Sequence, residues 1–279
     1  MLSRKRDNRY KVKLIVDTHL HIYPLYDVPT ALNEMITNLH RLGPDAIKVA
    51  CLTERSDCYI FNELRDNPSS DVVNQFNITT NDDDSLSISF KDSDAKGDHA
   101  TNENQQVHLL PGQQIITSER IEVLALNTTV RVEEGLSAKD TVTAVLKSGG
   151  IPVVAWSPGK WFGKRGKIVG ELIDHFAPEQ MALGDTTLRP YFWLTPLLMR
   201  KAKHKGFKVL CGSDPLPFQG EENKPGSYAS IISQQQPRSP SQVIRSLLNS
   251  DIDISAMGKR GSFMQVIARV LSNERVRQK

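Results

Sequence analysis

Apolar and polar positions along the chain follow two periods in turn. Lys13 to Val16 reads as a short apolar strand. Pro29 to Leu42 carries Leu32, Met35, Ile36 and Leu39 at helical spacing, and Gly43-Pro44 ends that helix. Ala46 to Leu52 is a continuous apolar run, hence a strand, with a short helix following around Tyr59 to Leu64. Further on, strands are predicted over Val107–Leu110, Ile121–Leu126, Ile151–Trp156, Met181–Leu183 and Phe207–Cys211. Helices are predicted over Ser137–Lys147 (Ser137 as cap, Gly149-Gly150 as stop), Ile168–Phe176, Leu194–Lys203, Ser241–Leu248 and Phe263–Asn273. Strands alternating with helices imply βαβ units and a largely parallel sheet. The strands starting near Leu14, Ala46, Ile121, Ile151, Met181 and Phe207 are expected to form one barrel-like sheet in a single domain, residues 1–279.

The stretch from Arg65 to Gln106 departs from this rhythm, being rich in Asp, Asn and Ser and poor in apolar residues. Phe76–Thr79 and Leu86–Phe90 alternate around an Asn81-Asp82-Asp83-Asp84 tip, a hairpin signal, and Lys91–Gln106 reads as a surface loop. The whole stretch is expected to lie outside the barrel as an insertion.

Composition narrows the function. With 279 residues, 39% hydrophobic and 24% charged, the chain is globular, and a net charge of +3 is too small to argue for a nucleic-acid groove. Three cysteines without a CxxC pair exclude a disulfide framework and a thiolate zinc site, and Cys51 and Cys211 read as core residues. The basic N-terminus lacks a following apolar stretch, and no run approaches the ~18 apolar residues of a membrane span, so a cytoplasmic location is expected. The sequons at Asn77 and Asn127 are then chance matches.

In α/β barrels the reacting groups sit where strands end, which makes the polar residues just past each strand the informative ones. Asp17, His19 and His21 follow the first strand. Residues two apart in an extended segment point the same way, so both imidazoles face one point, with Asp17 orienting or ligating. Such a pair suits zinc, manganese or iron. Glu54 follows the second strand, as a ligand or as a surface partner of Arg55. Glu122 sits within an apolar strand and needs a partner if it faces inward. Residues 157–167 hold four cations and three glycines ahead of a helix, an anion-site pattern in which Lys160, Arg165 and Lys167 are candidate phosphate contacts, although a solvated basic loop has the same composition. Arg189 joins them as a strand-end cation, and Asp214 ends the Phe207 strand as a candidate ligand. No Gly-x-Gly-x-x-Gly follows the first strand, which leaves a dinucleotide fold without support.

These segments resemble the PHP family, named for its polymerase and histidinol-phosphatase members. Asp17-Thr18-His19-Leu20-His21 looks like the family's Asp-x-His-x-His motif. Pro111-Gly112-Gln113-Gln114 through Glu122-Val123-Leu124 looks like its Gly-x-Glu … His-x-Leu segment, Ala155-Trp156-Ser157-Pro158 like its Ala-His-Pro, and Gly212-Ser213-Asp214 like its Gly-x-Asp-x-His. The resemblance runs from about Leu14 to Pro217. It implies a distorted (β/α)7 TIM-like barrel that binds up to three divalent metals, among Mn, Zn, Fe and Mg, for phosphoester hydrolysis. The implied partner is a small phosphorylated or anionic substrate. Gln114 stands where the family has a bridging Glu, Glu122, Trp156 or Ser157, and Leu216 where it has His, and Thr53-Glu54-Arg55 replaces its Thr-Asp-His. Carried over, the resemblance gives His19, His21 and Asp214 as metal ligands, with Glu122 as a replacement. The alternatives are a catalytically degenerate binding or scaffold protein on the same fold, and an amidohydrolase-like C–N hydrolase, which also begins with His-x-His and ends with a metal Asp.

Overall fold

The computed structural model describes residues 11–91, 105–235, 239–249 and 252–277. One mixed sheet carries the architecture. Its path runs β11 (Asp253–Gly258), β10 (Tyr228–Gln235), β1 (Lys11–Leu20), β2 (Ile47–Glu54), β5 (Val107–Ile116), β6 (Glu122–Leu126), β7 (Ile151–Ala155), β8 (Ala182–Thr186) and β9 (Val209–Gly212). The β1–β2, β2–β5, β7–β8 and β8–β9 pairs are parallel. Helices α1 (Val28–Leu42), α4 (Ala138–Lys147), α5 (Gly163–His175) and α6 (Leu197–His204) pack outside, while α2 (Ile60–Asp66), α3 (Ser70–Gln75), α7 (Pro240–Ser246) and α8 (Phe263–Arg277) serve the ends and the insertion. No helix of the described residues is long and apolar enough to cross a membrane.

The sheet curls until β9 meets β1. At that seam Thr18 donates to the Cys211 carbonyl at 3.1 Å and the Asp214 N–H to the His19 carbonyl at 2.8 Å. Only glycine fits at Gly212, because a Cβ there would lie 2.4 Å from the His19 nitrogen and 2.7 Å from its Cα. Strand alternation then sorts the core. Leu14 and Val16, Val49 and Cys51, Leu124 and Leu126, Val153 and Ala155, with Leu210 and Ile232, fill the barrel interior, and Val243, Ile244 and Leu247 of α7 plug one end. The alternate residues face out: Ile15, Ala50 and Leu52 lie beneath α1, and Val123, Val154 and Leu183 lie with α4, α5 and α6 residues.

Three expectations need correction. The strand at Ile121–Leu126 is not part of a parallel run: β6 is antiparallel to both β5 and β7, a reversal within the distorted TIM-like barrel that the sequence predicts. The insertion is not outside the sheet. Its hairpin, β3 (Phe76–Thr80) and β4 (Leu86–Phe90), attaches through β4 to β5 with Leu86 opposite Leu109, and Val72, Phe76, Leu86 and Ile88 join the core beneath α1. The polar composition hid this because alternation needs only every second residue to be apolar. Finally, β10 and β11, antiparallel to β1 and to each other, extend the sheet beyond the predicted strands. The surface loop predicted after Lys91 falls at residues 92–104, outside the described residues.

Candidate metal centre

The site lies at the end of the barrel where the parallel strands finish. His19 and His21 come from the end of β1, Gln114 from the last turns of β5, and Asp214 follows β9. Glu122 reaches the same rim because β6 runs backwards, so that its first residue sits beside the last residues of its neighbours: Ile116 is opposite Glu122.

Asp17 sits beneath this rim as its anchor, the orienting one of the two roles open to it, and is not part of the three-residue cluster. Its carboxylate accepts the N–H groups of His19 (3.1 Å), Ser213 (3.0 Å) and Gly226 (3.0 Å), as well as the Ser213 hydroxyl. One side chain thereby ties β1, the β9 end and the turn before β10. Burial pushes its pKa up, and these donors pull against that shift.

Above it, His19, His21 and Asp214 each offer a ligand atom, and these atoms lie within 4.8 Å of one another; among the described residues this is the group with metal-site geometry. Asp214 Oδ1 is 3.6 Å from Nε2 of His19 and 3.9 Å from Nε2 of His21. All three residues are buried. Burial and the neighbouring His19 push His21 well below its ordinary value, which leaves the ring neutral at pH 7 with a lone pair to give. Burial raises the Asp214 carboxyl against the pull of His19. Tyr23 stacks on His21 with centroids 5.2 Å apart and fixes its plane. Two imidazoles and a carboxylate make a donor set that suits a first-row divalent ion.

Gln114 belongs to the same cluster. Its Oε1 lies 2.9 Å from Nε2 of His19 and 3.2 Å from Nε2 of His21. Sequence reasoning registered Gln114 only as a departure from a family pattern, although a polar residue inside an apolar strand was the available signal. Arg269 was missed outright. It sits on α8 at helical spacing with the buried Val266, a charge within an apolar stripe. Its guanidinium binds both carboxylate oxygens of Glu221 (2.8 and 2.6 Å), the Thr187 hydroxyl (2.7 Å) and the Asp214 carbonyl (2.9 Å). Asp214 lies at φ +49°, in the left-handed region that few residues other than glycine adopt but that Asp tolerates better than most, between that bond on one side and its N–H to His19 on the other.

The other candidates are placed elsewhere. Glu122 lines the cavity but pairs with Lys160, and although burial opposes it, that ammonium holds the Glu122 carboxyl below its ordinary range. Glu54 accepts from the Phe61 N–H at 2.9 Å and pairs with Arg131 at 2.8 Å, so it turns away from the histidines. Of the four candidate phosphate contacts, only Lys160 lines the cavity. The segment read as a basic loop divides at Gly163: residues 157–162 form a turn that carries Lys160, and from Gly163 on it is the first turn of α5, where Arg165 binds the Gly159 carbonyl and Lys167 lies 4.0 Å from Glu171. Arg189 grips both oxygens of Asp185 at 2.6 Å and the Trp193 carbonyl, and is buried. The cavity beside the cluster has a volume of about 410 Å³ and is lined by Arg55, Glu122, Lys160 and Asn273 as well as by His21 and Asp214.

No family model matches the sequence, and no curated protein matches it. Among solved structures the chain is similar to PsfC from Pseudomonas syringae, with a TM-score of 0.46 at 15% identity, covering 96% of this chain and 98% of that one. It is similar to a two-domain protein from Bacteroides vulgatus described as containing a predicted PHP-like metal-dependent phosphoesterase, with a TM-score of 0.47 at 14% identity, covering 88% of this chain and 65% of that one. It is similar also to the lesion-specific endonuclease EndoQ from Pyrococcus furiosus, with a TM-score of 0.44 at 10% identity, covering 87% of this chain and 58% of that one. The chain thus spans less than two thirds of the length of the latter two proteins.

Proposed function

We propose that this chain is a metal-dependent hydrolase of the PHP type that acts on a small phosphate ester. The observation that carries the reading is the convergence of His19, His21 and Asp214 from opposite ends of the sequence on one buried point. Those residues would hold the ion, and the Gln114 amide oxygen beside them could serve as a further neutral ligand. A divalent ion there supplies Lewis-acid polarisation of a phosphoester and an activated water nucleophile. The protein's own groups do the rest. Asp17 and Arg269 fix the two strand ends that carry the ligands. Lys160, at the cavity wall, places a cation where a phosphoryl oxygen docks, with Glu122 orienting it. Electrostatics also favour a cation. Arg55 and Lys160 face Glu122, Glu134, Asp214 and Glu274 around the cavity, a formal charge of −2 that one divalent ion offsets.

Three observations favour a second reading, a binding protein without catalysis. The position beside both imidazoles is taken by a neutral amide, Glu122 is engaged by Lys160, and Nδ1 of His19 has no hydrogen-bond partner among the described residues to orient it as ligating imidazoles usually have. Titration calorimetry with Mn²⁺ and Zn²⁺, together with p-nitrophenyl phosphate turnover, separates the readings. The hydrolase reading expects ion binding and turnover in the wild type, both abolished in His19→Ala/His21→Ala with the melting curve retained. Ion binding without turnover of any phosphate ester supports the second reading. A wild type that takes up no ion, or a double variant that binds as well as the wild type, removes the site.

A further inference from the structure

Beside the candidate metal cavity lies a second cleft of about 280 Å³. The two share Pro158, Leu188 and Val270 in their walls, so one opens alongside the other. Their chemistry is opposite. The first is lined by His21 and by six charged side chains, Asp214 among them, whereas the second is lined by Trp156, Trp193, Phe263, Val266, Ile267 and other residues without a charge. Trp156 forms its buried floor, with Trp193 meeting it edge-on at 6.4 Å between centroids. The cleft exists because of sequence choices at two distant places. A large indole occupies the end of β7, where a small polar residue would leave a wet extension of the metal cavity, and α8 lays its apolar stripe across the opening.

Resting on the hydrolase reading above, we infer that the substrate is a phosphate ester whose alcohol portion is apolar and about the size of an aromatic ring system, with the phosphoryl group at the His19, His21 and Asp214 cluster and the ring in the Trp156–Trp193 cleft. The adjoining walls let one small molecule occupy both spaces. A volume near 280 Å³ accepts one or two fused rings, and aromatic walls favour edge-to-face or offset packing against such rings. An apolar lining gives no partner to the hydroxyls of a sugar or glycerol phosphate, which would lose their hydration there.

The test compares 1-naphthyl phosphate with methyl phosphate on the Mn²⁺-loaded full chain, by calorimetry and by quenching of tryptophan fluorescence. The inference expects 1-naphthyl phosphate to bind about ten-fold or more tightly, about 1.4 kcal/mol, and Trp193→Ala, a partly exposed position, to erase most of that advantage while methyl phosphate is unaffected. Val270→Gln, in the shared wall, serves as a second variant, and both are accepted only with wild-type melting curves. Equal affinity for the two esters overturns the inference, as does an aryl preference that survives both variants. A change in sedimentation behaviour on Trp193→Ala, with the ester preference untouched, also overturns it and assigns the cleft to a protein contact. Neutral 1-naphthol on ion-free protein separates this inference from the hydrolase reading. Naphthol binding lost in Trp193→Ala upholds the cleft even if no ion binds, and absence of naphthol binding rejects it even if the ion does.

Discussion

Replacing Arg269 by Met keeps most of the side chain's length and removes its charge, and the structure sets the size of the effect. Arg269 is 9% exposed and Glu221 3% exposed, so neither charge has water to fall back on. The substitution removes the bidentate pair and two further hydrogen bonds, to Thr187 and to the Asp214 carbonyl. The dominant cost is the Glu221 carboxylate left buried without its cation, and breaking such a pair from one side costs about 3–5 kcal/mol. At a few degrees per kcal/mol for a chain of this size, the melting temperature falls by roughly 10 °C. The loss also releases Asp214 from its left-handed conformation, so Mn²⁺ affinity measured by calorimetry at a temperature well below the melt weakens too. Adding Glu221→Gln to Arg269→Met removes the orphaned charge but keeps an oxygen for the Leu216 N–H, which Glu221 now accepts at 3.0 Å. The double variant is therefore expected to recover at least half of the lost stability. A single variant that loses less than about 1 kcal/mol in chemical denaturation would falsify the argument, because a surface-like pair has that worth. So would a double variant less stable than the single one.

Gln114→Glu places a carboxylate beside both imidazoles and should raise Mn²⁺ affinity about 10- to 100-fold, since a charge-assisted contact is worth about 1.5–3 kcal/mol; calorimetry showing no gain would mean that Oε1 does not face the ion. Gly212→Ala forces a methyl into the His19 backbone and is expected to cost about 1–3 kcal/mol or more by overpacking at the seam, with ion binding lost, read by thermal melts and calorimetry. Asp17→Asn leaves one acceptor oxygen where the carboxylate's two serve three N–H groups and a hydroxyl, so a loss of about 1–3 kcal/mol in urea unfolding is expected, and an unchanged midpoint would contradict the anchoring role.

Much of the site was legible because its main residues announce themselves locally. His19 and His21 are two apart in an extended segment, a relation that depends only on backbone geometry, and Asp214 directly follows an apolar strand. Glu122 was legible as a charge in an apolar strand that needs a partner, but the partner, Lys160, is 38 positions away and no periodicity links them. The same limit explains Arg189 and Glu54: each is a strand-end charge of the right type, and each is satisfied by a neighbour that only the folded loops bring near. The basic run at residues 157–167 misled for a different reason. Composition registers charges without direction, and the start of α5 at Gly163 turns Arg165 and Lys167 away from the cavity.

By itself the sequence determined the alternation of strands and helices, the cap at Ser137, the stop at Gly43, and the candidacy of His19, His21 and Asp214 as strand-end ligands. These are matters of side-chain period, of backbone freedom and of local capping, all set within a few residues. Tertiary structure alone decided the reversal of β6, the attachment of the β3–β4 hairpin, the antiparallel β10 and β11, and the roles of Asp17, Gln114 and Arg269. Strand direction depends on which edge is free when a segment arrives, and a buried carboxylate or guanidinium takes its role from whichever donors and acceptors the closed barrel sets around it. Asp17 shows the difference most plainly: as a motif residue it reads as orienting or ligating, and the folded chain makes it the anchor beneath the candidate ligands, because Ser213 and Gly226 arrive beside it from some 200 positions away.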